Sequence, residues 1–176
     1  MMLALSQKDA MLAAMGEDPE MWRVPMGYYV PSSKYASTEG MDPWRGDYSV
    51  DELKAMLEKS GYAGERLVYM HPTDQIVYDA ISAVAVDTLR SIGVNVDEQI
   101  TDWGTIVQRR TSKEPLDRGG WSMFPAGAPG PEFNDPLLLM HTVIMPSLNE
   151  IIPDSESTWN MLIGIKGTIF NVMDKS

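Results

Sequence analysis

Few side chains in this 176-residue chain are placed to do chemistry. It has two histidines, His71 and His141, and no cysteine. The lack of cysteine excludes disulfide frameworks, thiolate zinc sites and cysteine nucleophiles. Two histidines make a multi-histidine metal site improbable. His71 precedes Pro72 at the end of a strand candidate. A lone histidine there is more often a structural hydrogen-bonder than a base. His141 sits in an apolar run and reads as core or interface. No Ser/His/Asp order stands out from the many Ser and Asp residues. Asp97, Glu98 and Asp102 could pair as carboxylates, but strand alternation puts some of them on a solvated side. No catalytic group, metal site or cofactor is expected.

Binding is the better prospect. Arg109 and Arg110 are the only adjacent arginines, and a guanidinium fork suits a carboxylate such as a peptide C-terminus. The plainer account packs one on Trp103 and leaves the other solvated or paired with an acid. Trp121, Met123 and Phe124 form a short strand candidate before a glycine- and proline-rich loop, a common way to line a pocket. The plainer account has Trp121 filling the core. Gly119-Gly120 before it is not a phosphate-binding glycine pattern, and no helix start follows.

The elements that must position these residues read as α/β. Residues 2–15 read as a helix with Met2, Leu5, Leu12 and Met15 on one face and Gly16 after its end. Residues 17–48 read mostly as an aromatic-rich loop that packs on something. Ser49 and Glu52 have capping-box spacing, and Val50, Leu53, Met56 and Leu57 follow as an apolar stripe closed by Gly61. Arg66–Met70 reads as a strand. Thr73 or Asp74 then caps a helix whose buried face is Val77, Ile81, Val84, Ala85 and Leu89. Gly93 ends it, and residues 94–100 alternate as a strand with Val94, Val96 and Ile100 on one face. Strand, helix, strand implies a parallel pair with a right-handed crossover. Residues 103–110 read as a short helix, 137–148 as an ambiguous apolar run, and 162–172 as a closing strand or hairpin turning at Lys166-Gly167.

Bulk properties narrow the partners. At 44% hydrophobic and 22% charged, the composition suits a globular domain with a real core. A net charge of -11 and a pI near 4.5 repel phosphate backbones and anionic membranes, so nucleic acid is not expected as a partner. No apolar run approaches the ~20 residues that span a bilayer. Met1–Leu5 is too short for a signal core, so the expectation is a cytosolic chain, or a fragment or mature form of something longer.

Several short motifs in order resemble the C-terminal lobe of family 5 extracellular solute-binding proteins, the dipeptide/oligopeptide/nickel type of ABC importers. They are Asp51–Leu57 with Ser60-Gly61-Tyr62, then His71-Pro72-Thr73-Asp74, and then Leu89-Arg90-Ser91-Ile92-Gly93-Val94-Asn95-Val96. Asp102-Trp103-Gly104-Thr105, Gln108-Arg109-Arg110 and Gly119-Gly120-Trp121 follow. The opening Leu3–Asp9 and the tail around Gly164–Val172 are also similar. The resemblance implies a single α/β lobe over 1–176 of a type II periplasmic-binding-protein fold, with a mixed sheet flanked by helices and segment 137–160 shortened. It implies a periplasmic receptor that closes on a small solute or peptide without catalysis. The implied partners are the membrane permease and an N-terminal lobe missing from this chain. Trp121, Met123, Phe124 and Arg109 would face the cleft. Peptide-binding members place an aspartate soon after the tryptophan; here no acid follows Trp121 before Glu132, and Glu132 or Asp135 is the candidate substitute. The alternative is a freestanding α/β interaction module that forms a homo-oligomer, either through the aromatic loop 19–48 or through an apolar surface left exposed by the missing lobe. A small hydrolase using His71 is a third reading.

Overall fold

A computed structural model describes residues 1–18, 20–22, 24, 29–44, 46–127, 164–166 and 169–171. The expectations for Glu132, His141 and the segment 137–160 lie outside them.

Local signals set the helices. Helix α1 spans Gln7–Met15, with the Ser6 hydroxyl accepting from Asp9 N and Gly16 at its end. The expected single helix from residue 2 is interrupted, because the Ser6 cap restarts the chain after a 3-10 turn at Met2–Ala4. Its buried face is Gln7, Ala10 and Met11, not the expected Leu12 and Met15. Helix α2 spans Val50–Lys59 and begins with a complete capping box. Glu52 accepts from Ser49 N at 2.8 Å, and the Ser49 hydroxyl accepts from Glu52 N. Leu53 and Leu57, one turn apart, are its buried pair.

The centre is the expected βαβ unit. Strand β1 (Arg66–Pro72) pairs in parallel with β2 (Asn95–Thr101), from Arg66 opposite Asn95 to Pro72 opposite Thr101. Helix α3 (Ile76–Ser91) connects them. Gly93 makes the tight return to β2 at φ 98°, a left-handed conformation that side chains rarely adopt. Helix α4 (Trp103–Arg109) follows β2. A third strand position lies across β1, where Met123 bridges Tyr69 in parallel.

Strand alternation then divides the core in two. Leu67 and Tyr69 of β1 join Ile81, Ala85, Val86 and Leu89 of α3, with Ala4, Leu5, Leu53, Leu57 and Val94. The intervening Val68 and Met70 join Ile106 of α4, Trp121 and Phe124. Within α3, Ser82 and Val86 are buried where Val77 and Val84 were expected, and Val77 is exposed. Ser82 is accommodated because the Tyr69 hydroxyl meets its Oγ at 3.4 Å. Ile100 also departs from expectation. It lies beyond the end of the packed face and is 70% exposed. Among the described residues the remaining strands, β3 (Gly164–Lys166) and β4 (Ile169–Asn171), form the expected hairpin, antiparallel and separate from the first sheet.

Candidate functional site

Parallel strands gather their carboxyl ends at one edge, where open α/β sheets usually take ligands. Here that edge is tied together by long-range bonds. Thr73 N donates to Thr101 O at 3.1 Å, just past the ends of β1 and β2. The Asp74 carboxylate accepts from Trp103 N at 2.9 Å. Asp74 is thus diverted from the expected role of capping α3, whose N-cap is Gln75 with no side-chain bond. Asp102 caps α4, accepting from Thr105 N and Thr105 Oγ1. Those bonds hold its carboxyl below the usual range. The Tyr78 ring stands 4.9 Å from that of Trp103. Burial raises the Tyr78 hydroxyl above its ordinary value, offset in part by a hydrogen bond with the Gly127 backbone. Three chain segments therefore converge at this edge: 73–78, 100–104 and 122–127. Apolar side chains stand open on it, with Ile76 86% exposed and Ile100 70% exposed.

The residues expected to line a pocket occupy a different layer. Trp121 is 2% exposed and meets Phe124 edge-on at 4.9 Å in the α4-side core. The Trp121 indole donates to Arg109 O at 2.9 Å. Met123 is half-buried and points to the α3 side instead. The cause lies in the backbone. Ser122 N and Met123 N both donate to Val68 O, at 2.9 and 3.0 Å, which breaks strict alternation. Trp121 and Phe124 therefore face the same side, although they stand three positions apart.

Arg109 is half-buried, and its guanidinium is occupied. Nη1 donates to Gln99 Oε1 at 2.9 Å, and Nη2 to the Gly119 and Gly120 carbonyls. It braces the turn that launches the third strand position. Gly120 is required there because a Cβ would strike Glu114 O and the Pro115 carbonyl group. Arg110 is exposed.

His71 is 5% exposed and held at both ring nitrogens, Nδ1 at 2.7 Å from Glu98 Oε1 and Nε2 at 2.8 Å from Asp79 Oδ1. Arg90 closes the network on Glu98 Oε2 at 2.9 Å. Burial pushes the Glu98 carboxyl up, but bonds from His71 and Arg90 outweigh it and leave the net value below 4.5. With both nitrogens engaged, His71 has none left to take a proton from a nucleophile. Asp97 meets Arg66 at 3.5 Å on the opposite face, so Asp97, Glu98 and Asp102 do not converge. Glu98 is thus not a solvated carboxylate but part of a network that links β1, β2 and α3. Among the described residues no cluster of three or more His, Asp or Glu could hold a metal ion.

Apart from one motif, no local signal in the sequence marks Asp74, Ile76, Tyr78 and Ile100 as an edge cluster. Periodicity carries no sign of them, since their proximity depends on strand register. The His-Pro-Thr-Asp motif was the one local pointer.

No protein-family model matches the chain. Over 123 residues, 70% of the chain, it is 29% identical to a Sinorhizobium fredii protein assigned as a peptide ABC transporter periplasmic-binding protein. The chain spans 23% of the length of that relative, about a quarter. In fold it is similar to the ABC transporter substrate binding protein CtaP of Listeria monocytogenes. The TM-score is 0.54 and the identity 19%, over 66% of this chain and 23% of that one. It is also similar to AppA of Clostridium difficile, a candidate peptide binding protein, at TM-score 0.53 and 20% identity, over 65% and 23% of the two chains. The expected resemblance to ABC-importer solute-binding proteins thus holds over part of the chain. The fold is α/β, a small parallel sheet flanked by helices, as found within those proteins.

Proposed function

We propose that this chain is part of the solute-binding component of an ABC importer, one α/β lobe over 1–176. In this reading it forms one wall of a cleft that closes on a peptide or other small solute without transforming it. The observation that carries the reading is the 123-residue match at 29% identity to a peptide ABC transporter periplasmic-binding protein. The partners are then a second lobe and a membrane permease, and the place of work is the periplasm or cell exterior. The cleft wall is the carboxyl edge of the sheet. The Trp121–Phe124 segment forms its floor, with half-buried Met123 the most accessible of the three named side chains. Arg109 holds the turn before that floor. Glu132 is the acid proposed to meet a peptide amine.

A thermal-shift screen of di- to hexapeptides and small polar solutes tests this. A solute that binds only the folded chain adds about 2.7 kcal/mol of stability at roughly 100 times its Kd. The melting temperature should therefore rise by several degrees. A flat response to every solute contradicts the reading.

The exposed Ile76 and Ile100 favour one competing reading, an oligomerisation module. A mass that climbs with protein concentration and ignores every solute would select it.

A further inference from the structure

His71 is buried between two carboxylates. Nδ1 lies 2.7 Å from Glu98 Oε1, and Nε2 lies 2.8 Å from Asp79 Oδ1. An ionised carboxylate accepts hydrogen bonds and donates none. A neutral imidazole has one N–H, so it can serve only one of the two. The doubly protonated ring serves both, and both distances fall in the range of bonds between charged partners. The ring is 7% exposed, so water is no ready substitute for a missing partner.

The two carboxylates differ in what else holds them. Glu98 is the inner one, 20% exposed, with Arg90 Nη1 on its other oxygen at 2.9 Å. Asp79 is 49% exposed, so water can replace the ring as its partner. The other ionisable groups near this face are spent elsewhere. The Tyr69 hydroxyl of β1 meets Ser82 Oγ, and Asp97 of β2 meets Arg66 on the opposite side. Asp87, two turns further along α3, is exposed. Asp74 accepts from Trp103 N, and on the α4 side Asp102 caps its helix while Arg109 holds Gln99.

We propose that His71 is a proton-operated latch, tying the first turn of α3 to the ends of β1 and β2 only while its ring carries both protons. Histidine is the side chain that ordinarily changes charge around neutral pH. When one proton leaves to solvent, the other stays on Nδ1, facing the less exposed Glu98. The Nε2 lone pair then faces the Asp79 carboxylate. Two acceptors repel, and Asp79 turns to water. The turn it leaves has little local hold, because the N-cap residue Gln75 makes no side-chain bond. That turn carries Tyr78, whose ring stands 4.9 Å from that of Trp103. The carboxyl edge is therefore tied on the acid side of the His71 titration and loosened on the alkaline side. The latch needs no solute, so its failure leaves the solute-binding reading untouched.

Nuclear magnetic resonance of the 15N-labelled chain, without added solute, tests this between about pH 5.5 and 9. His141→Gln removes the signals of the other histidine. On the acid side both His71 ring nitrogens should show the shifts of protonated N–H, and on the alkaline side Nε2 alone should lose its proton. Exchange protection of the Asp79 and Ala80 amides, corrected for the intrinsic effect of pH, should fall about tenfold across that step. The Val86 and Leu89 amides of the same helix should keep theirs. In Asp79→Asn the side-chain amide can accept from Nε2–H or donate to bare Nε2, so the step in protection should vanish. A ring that keeps one N–H throughout, or both throughout, overturns the proposal. So does loss of the proton from Nδ1 first, protection that ignores the ring, or an equal step in Asp79→Asn.

Discussion

Glu98 carries the clearest pH consequence of any single residue. Its folded pKa lies below the ordinary 4.5, so the unfolded chain binds protons more readily in that interval. Stability from this group is therefore complete above about 4.5 and is lost as pH falls through the lowered folded value. Glu98→Gln should be less stable than the parent near neutrality, and the gap should close in acid. Urea midpoints measured across that range decide it; a gap that does not vary with pH contradicts the assignment. Histidine chemistry was only half legible in the sequence. Its motif suggested a structural role for His71, but its partners lie 8 and 27 residues away, and only strand register reveals them. The same distance effect hides the role of Asp74, whose bond to Trp103 spans 29 residues.

At the scale of elements, legibility follows the range of the interaction. The Ser49–Glu52 capping box joins residues three positions apart and is readable from spacing alone. Ser49→Ala should cost about 1 kcal/mol, seen as a lower melting temperature by circular dichroism. An unchanged melting temperature would show that the box adds nothing. The parallel pair and its α3 crossover were equally legible, because apolar periodicity and Gly93 mark both ends. The third strand position was not. Its two N–H groups share the Val68 carbonyl, and this irregularity sends Trp121 and Phe124 into the core. No residue type in Trp121–Phe124 signals that bonding. The turn before it depends on Gly120, where a Cβ would meet the backbone at Glu114 and Pro115. Gly120→Ala should destabilise the fold by roughly 2–3 kcal/mol and weaken the near-ultraviolet signal of Trp121. Retention of both stability and signal would mean that the turn can relax at no cost.

For the whole molecule, the two core layers do different work. The α3 side and the α4 side clamp β1 between them, and that rigidity fixes the three segments of the carboxyl edge relative to each other. The acidic balance of the chain, -11, has a local counterpart there, since no basic residue belongs to those segments. The central claim is that this edge is the wall of a solute cleft. Amide chemical-shift mapping with a mixture of short peptides tests it most directly. Perturbations are predicted at residues 73–78, 100–104 and 122–127. Perturbations at the opposite edge, around Glu65 and Asn95, or at no residue, would contradict it.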